Sequence, residues 1–383
     1  VTQMSINTVK STPLIDKHRN LGAKFTIFAG WEMPLYYRSV QAEHLATRHK
    51  CGIFDVSHMG KILLSGSAAS QLLDYLFTNS INDLQFGHAR YGFFCNHAGG
   101  IIDDLLAYHL DRGTFYLVVN AGTVEKVLRW IKQHAADFGP QVQVTDLTVS
   151  HAGIAIQGPL ARSIATAALR KIFPSVNAES LLKLPKKSFL SMPVNNDFLI
   201  LSATGYTGED GFEVFGPVEP IATLWDLITA DLNASPAGLG ARDSLRLEAG
   251  LPLYGHEIDE ATSPFEAGLG RFVKLDKGRF LGVDTLREHA SRQPTRKLVF
   301  LQMLEPGAIP RSGGEVLSTN QTVIGKVTSG GYSPIFRSGI ALAYVATTLA
   351  DPGTLLQVKV RDRLMLALVA SRPSAKSIRG TST

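Results

Sequence analysis

The sequence predicts an α+β protein whose last third is a small all-β domain. Three observations carry this expectation. Beyond Lys297 only short strand patterns separated by turns remain. From Tyr91 onward, three strand patterns follow one another through tight turns. Val124, Val127, Leu128 and Ile131 then recur at i, i+3, i+4 and i+7, the spacing of an amphipathic helix. The 383 residues are enough for two or three domains at roughly 100–200 residues each.

Element by element, residues 14–18 open a short helix and residues 28–34 read as a loop. Residues 39–49 are helical, with Val40, His44, Leu45 and Arg48 at helical spacing. Residues 52–55 turn into a strand and 61–64 continue the β pattern. Strands are expected at 91–95, 101–110 and 115–120, with turns at 96–100 and 111–114. A short strand at 141–144 closes a unit spanning about residues 52–148. Residues 151–157 are strand-like, and Gly158-Pro159 opens a helix over 160–169. Two strands fall within 189–205. Helices follow at 224–232 and 241–249, the second entered through Gly238-Leu239-Gly240. The closing strands are 298–303, 323–328, 340–345, 355–360 and 364–370. No internal repeat or low-complexity linker is visible.

Composition narrows the function classes. Hydrophobic residues make up 45% and charged residues 19%, ordinary values for a soluble globular chain. The net charge of +5, 38 basic against 33 acidic residues, is mild, and no basic run carries interleaved aromatics. That argues against nucleic acid and for an anionic small molecule or an acidic partner protein. Cys51 and Cys95 are too few for a disulfide framework, lack metal-ligand spacing and read as buried thiols. Residues 1–10 lack the apolar run of a signal peptide and the Arg-rich look of a transit peptide. No apolar stretch reaches membrane-spanning length. A reducing, soluble compartment is expected.

Several segments carry chemistry. Residues 203–214 form a Gly- and Thr-rich turn that enters a strand with Glu213 between Phe212 and Val214. Alternation turns Glu213 away from those two apolar neighbours. It is then either solvated or reads a pair of donors on a ligand. Asp103 and Asp104 lie adjacent in an apolar strand, so alternation sends them to opposite faces, and they cannot share a pocket as an aspartic dyad does. If residues 111–114 are the hairpin loop, Asn120 falls opposite Asp104 within about one residue. Arg242 and Arg246 share a helix face, where Asp243 and Glu248 could neutralise them. Arg242, in the first turn beside the glycines, is the better placed to meet an anion. Residues 238–243 have Asp where a dinucleotide fingerprint needs its third Gly, residues 325–327 lack the Walker context, and no nucleophile elbow appears. His58 and His256 have no partner at metal spacing and are read as hydrogen-bonded structural histidines.

These segments resemble one family. Phe28-Ala29-Gly30-Trp31-Glu32-Met33-Pro34-Leu35-Tyr36-Tyr37 and Phe54-Asp55-Val56-Ser57-His58-Met59-Gly60 are similar to the amino-terminal signatures of the glycine cleavage system T-protein (aminomethyltransferase) family. Residues 99–105, 118–121, 204–213 and 238–243 resemble its middle signatures. Thr328-Ser329-Gly330, Ser333-Pro334 and residues 340–343 match its last domain more loosely. The similarity runs from about Pro13 to Pro373. It implies a three-domain cloverleaf around a central folate site. The first domain would comprise 1–51 with 149–275, the second 52–148, and the carboxy-terminal β-barrel 276–383.

The resemblance also implies a reaction. An aminomethyl group on the dihydrolipoyl arm of H-protein is attacked by tetrahydrofolate, ammonia leaves, and 5,10-methylenetetrahydrofolate forms. P-protein and L-protein would belong to the same system. By that likeness Asp104 is the acid–base and orienting carboxylate, Glu213 reads the pterin edge, and Arg242 binds folate. Tyr91, Asn120 and Tyr206 match pocket positions. The implied setting is the cytoplasm, or the mitochondrial matrix for a chain whose presequence has been removed. Competing readings are a folate-dependent demethylase of another donor and a non-enzymatic folate-binding protein. The second of these would often lack Asp104 or the complete 206–213 block. Ala203, His97, residues 331–337 and Ser374 depart from the family pattern, and Arg379 is a candidate contact for the folate tail.

Overall fold

A computed structural model describes residues 9–373; residues 1–8, Ser374 and Arg379 lie outside the described residues. The described residues form two large sheets, a small three-stranded sheet and a barrel. The first sheet runs Phe189–Val194, Asp197–Ser202, Gly211–Pro217, His151–Gln157, Gly52–Asp55, Ser235–Ala237. One face buries Ile154, Ile156, Phe212 and Val214 against the helices Ala161–Ile172 and Val218–Asp226, which contribute Ala165, Leu169, Leu224 and Trp225. The strand Gly52–Asp55, expected with the residues that follow it, pairs instead with His151–Gln157 and Ser235–Ala237.

The second sheet runs Ala89–Cys95, Ile101–Asp111, Thr114–Val119, Gly60–Ser65, Gln143–Asp146. It packs on the helices Ala69–Leu76 and Val124–Ala135 through Leu72, Leu73, Val127 and Ile131. The remaining faces of the two sheets meet over Phe54, Val56, Tyr108, Tyr116, Val118, Ile200 and Phe215, with Ala241 and Leu245 at one side. Burial of each such large apolar side chain contributes about 1.5–3 kcal/mol. This shared layer fixes the side chains between the sheets in one register.

Six strands close the carboxy-terminal barrel: Arg296–Met303, Ser338–Ala346, Val323–Ser333, Glu315–Leu317, Leu355–Val360 and Arg363–Ala370. Glu315–Leu317 was absent from the sequence reading because three residues give too little alternation. The helix Val283–Ser291 was also missed; its buried side is carried by Val283 and Leu286 alone. The largest correction concerns residues 28–34. They are not a loop: Lys24–Phe28 and Trp31–Tyr36 form a hairpin around Ala29 and Gly30, both at positive φ (49° and 79°). Two left-handed residues give the turn whose twist suits a hairpin. Pro34 sits where the register slips between Lys24 and Phe25, at a bulge that tolerates its missing N–H.

Candidate functional site

Asp104 projects from the middle part of the second sheet. Phe93 lies opposite it on one side, and Leu106 pairs with Val118 on the other. Carrying that second register two residues further sets Asn120 opposite Asp104, in line with the hairpin reading. The contacts follow. Tyr91 donates its hydroxyl to Asp104 Oδ2 at 2.9 Å, and Asn120 Nδ2 donates to Asp104 Oδ1 at 2.7 Å.

The expectation that Asp103 and Asp104 have separate surroundings is not met. Asp103 is fully buried, yet it accepts from the main-chain N–H of Asn120 at 3.1 Å and from Asn120 Nδ2 at 2.9 Å. Asn120 lies one residue beyond Val119, where regular pairing stops. Its amide can therefore cross the strand end and serve both carboxylates. Burial pushes the Asp103 carboxyl well above the usual carboxylate range, and the charge on Asp104 adds to this, while donors from Asn120 and Thr123 oppose it. Burial also raises Asp104, and its bonds from Tyr91 and Asn120 pull it back. Two carboxylates this close titrate as a pair. The Tyr91 hydroxyl is pushed well above its ordinary value, first by burial and then by Asp104, so at neutral pH it acts as a donor.

Glu213 faces the layer between the sheets, while Phe212 and Val214 sit in the core behind it. At 7% exposure the solvated reading fails. Its Oε2 accepts from Thr204 Oγ1 at 2.7 Å, and that hydroxyl lies 3.0 Å from Ser202 Oγ and 3.4 Å from the Tyr108 hydroxyl. Among the described residues Thr204 is the only hydrogen-bond partner of Glu213. A nearly buried carboxylate with one hydroxyl donor has capacity left for a ligand's N–H groups.

Arg242 stands in the first turn of the helix Leu239–Glu248. Its guanidinium lies 5.1 Å from the centroid of the Tyr206 ring, a cation–π distance. Tyr206 is anchored by its hydroxyl to the Pro252 carbonyl, and its acidity is weakened chiefly by burial. Arg242 Nη1 is buried and has no hydrogen-bond partner among the described residues. Burial lowers its pKa, and the charge of Glu213 opposes that shift.

Two family sequence models match the chain: the GCVT N-terminal domain over residues 14–277 and the glycine cleavage T-protein C-terminal barrel domain over residues 296–376. An aminomethyltransferase of Caldanaerobacter subterraneus is 41% identical over 372 residues, covering 96% of each chain. One from Staphylococcus carnosus is 38% identical over 367 residues, covering 96% of this chain and 98% of its own. The crystal structure of glycine cleavage system aminomethyltransferase T from Bartonella henselae superposes with a TM-score of 0.87 at 34% identity, over 95% of this chain and 98% of that one. The chain belongs to the glycine cleavage T-protein family. The family's activity is the folate-dependent aminomethyl transfer that the sequence motifs implied.

In this T-protein family member the two helix arginines separate cleanly. Arg246 is saturated by protein acceptors: Nε donates to Asp243 at 2.8 Å, Nη1 to Leu251 O at 3.2 Å and Glu257 at 3.0 Å, and Nη2 to Ser329 Oγ at 2.7 Å. It ties the helix to the barrel. Arg242 keeps an open donor. The set combines a carboxylate acceptor at Glu213, an open guanidinium donor at Arg242 and the aromatic faces of Tyr91 and Tyr206.

Three side chains near these residues escaped the sequence reading. Tyr108 shares the face of Asp104 at i+4 on one strand, so alternation alone pointed to it. Thr204 was quoted only as part of a turn. His58 was read as a hydrogen-bonded structural histidine, but neither ring nitrogen has a partner among the described residues. His256 is exposed, with no side-chain hydrogen bond among those residues. No group of three or more His, Cys, Asp or Glu suited to a metal occurs among the described residues. No described helix is long and apolar enough to cross a membrane.

Proposed function

We propose that this T-protein family member takes the one-carbon unit from the aminomethyl-dihydrolipoyl arm of H-protein and delivers it to tetrahydrofolate, forming 5,10-methylenetetrahydrofolate and releasing ammonia. The observation that carries the assignment is the combination of open binding capacity at Arg242 Nη1 and Glu213 with the half-exposed Asp104 carboxylate. P-protein and L-protein are the further partners in this reading. The bacterial sources of the relatives favour the cytoplasm over the mitochondrial matrix. We also infer a three-domain division into 1–55 with 149–275, 56–148 and 276–383; the expected boundary after residue 51 moves to follow Asp55 because Gly52–Asp55 pairs into the first sheet.

Each residue has a defined task in this reading. Asp104 orients the amines of the co-substrate and stabilises cationic charge at the reacting carbon, moving a proton through Oδ1 or Oδ2. Tyr91 and Asn120 hold its two oxygens in place. Glu213 accepts from the aminopyrimidinone edge. Arg242 donates to oxygen, steadied by the Tyr206 ring. Tetrahydrofolate supplies the nucleophilic amines that accept the one-carbon unit.

Calorimetric titration with tetrahydrofolate tests the assignment. Wild type binds; Glu213→Gln and Arg242→Ala each bind about 10- to 150-fold more weakly, the equivalent of about 1.5–3 kcal/mol for a charge-assisted hydrogen bond. Arg246→Ala instead loses stability, because it strands the buried Glu257. A wild-type protein that binds no folate contradicts the assignment.

A further inference from the structure

Four histidines are almost wholly buried: His18, His44, His58 and His151. Three have both ring nitrogens engaged. His18 reaches Asp55 at 2.8 Å and the Tyr37 hydroxyl at 2.9 Å. His44 reaches Ser244 at 2.8 Å and Glu248 at 3.0 Å. His151 reaches the Tyr116 hydroxyl at 3.1 Å and Asp197 at 3.1 Å. His58, 2% exposed, has no hydrogen bond at either nitrogen among the described residues, and its Nδ1 is fully enclosed. A buried polar group left unbonded costs about 1–3 kcal/mol, so the enclosed and unbonded Nδ1 calls for a physical cause.

Its position supplies one. His58 lies in the turn between Gly52–Asp55 of the first sheet and Gly60–Ser65 of the second. Gly60 pairs with Val119, so His58 flanks the strand end that presents Asn120. Its ring meets Phe28 edge-on, with centroids 5.6 Å apart, beside the Ala29–Gly30 turn. The charges that act on it are Asp55, Arg242 and Lys61. Asp55 is already committed to His18, Thr12 and the Ser57 N–H. Lys61 Nζ is turned to the Ser57 carbonyl at 2.7 Å. Of the three, only Arg242 is also open. Burial first, with Arg242 and Lys61, lowers the imidazole pKa to about 3. At neutral pH the ring is uncharged, with one N–H to donate and one lone pair to accept with.

We propose that His58 is a further substrate-binding residue of this pocket, hydrogen-bonding an uncharged nitrogen or oxygen of the bound folate heterocycle beside Arg242. The proposal rests on the folate reading given above. An uncharged donor–acceptor next to a fixed cation discriminates by hydrogen-bond pattern rather than by charge.

Two measurements test it. In the first, tetrahydrofolate is titrated into wild type, His58→Phe and His58→Asn, with thermal unfolding recorded on the same samples. The expected result is a Kd about 5- to 20-fold weaker for His58→Phe, with partial recovery in His58→Asn and a folded protein in both. Unchanged Kd in a folded variant overturns the proposal and leaves the nitrogens to buried water. In the second, imidazole nitrogen shifts are followed in 15N-histidine-labelled wild type, with His58 assigned through its contacts to the Phe28 ring. This needs no variant to fold: a shift of the His58 nitrogens on adding tetrahydrofolate supports the contact, and their constancy in the bound state overturns it. If wild type binds no tetrahydrofolate, the folate reading fails first and this proposal with it.

Discussion

Asp104→Asn is expected to lower turnover by about 10²- to 10⁴-fold, the usual reach of general acid–base catalysis, while tetrahydrofolate binding stays within a few-fold of wild type. Asn is close to isosteric, and Asp104 is half-exposed, so the fold tolerates it. The Asn120 amide still donates to Oδ1, and the Tyr91 hydroxyl, rotated, can accept from the new amide nitrogen in place of Oδ2. What disappears is the negative charge and the proton site. Steady-state kinetics with saturating folate reads the loss as kcat; a loss confined to KM would move Asp104 from chemistry to binding. The same carboxylate sets the pH profile. Activity needs the ionised form, and burial raises its pKa. Turnover therefore falls on the acid side at a pH above the ordinary Asp value of about 3.9. The stability effect has the opposite sign. Both carboxyls bind protons more tightly folded than unfolded, so their contribution falls as pH rises from the unfolded value through the raised folded one.

Glu248→Ala is expected to cost about 3–5 kcal/mol of stability, the penalty for removing one partner of a buried ionic network. Glu248 is fully buried at the end of the helix Leu239–Glu248, whose first turn carries Arg242. It accepts from Arg48 Nε at 2.8 Å, from Ser333 of the barrel, and bonds His44 Nε2 at 3.0 Å. One carboxylate thus joins the helix Val40–His49, the helix Leu239–Glu248 and the strand Val323–Ser333. Burial pushes its pKa up, but the donors from His44, Arg48 and Ser333 outweigh this and hold it below the usual Glu value. Its stabilisation is accordingly present above the unfolded Glu pKa and lost as pH falls through the depressed folded one. Urea denaturation measures the effect, and a loss under about 1 kcal/mol would show that the network is not what fastens the barrel.

Much of the site was legible because strand alternation and hairpin register are local rules. Glu213 between two core residues, and Asn120 opposite Asp104, both follow from a period of two. The distinction between Arg242 and Arg246 was half legible: position in the first turn favoured Arg242. The acceptors that saturate Arg246 come from Glu257 and Ser329, 11 and 83 residues away, and no sequence rule reaches them. The meeting of Asp103 and Asp104 on one amide was hidden because it occurs where pairing ends and alternation no longer governs direction. The hairpin around Ala29–Gly30 was not read from the sequence; its register, with a bulge opposite Pro34, becomes visible only once the strands pair. His58 was misjudged for a similar reason: whether a buried imidazole finds a partner depends on what the other chain segments bring to it.

The central claim is that the Asp104, Glu213 and Arg242 constellation performs folate-dependent one-carbon transfer from a lipoyl-borne aminomethyl group. Ammonia release from aminomethyl-loaded H-protein, with and without tetrahydrofolate, tests it most directly. The predicted result is release that tetrahydrofolate strongly stimulates, accompanied by stoichiometric 5,10-methylenetetrahydrofolate. Tight folate binding with no stimulated release would contradict it and point to another donor or to a binding role alone.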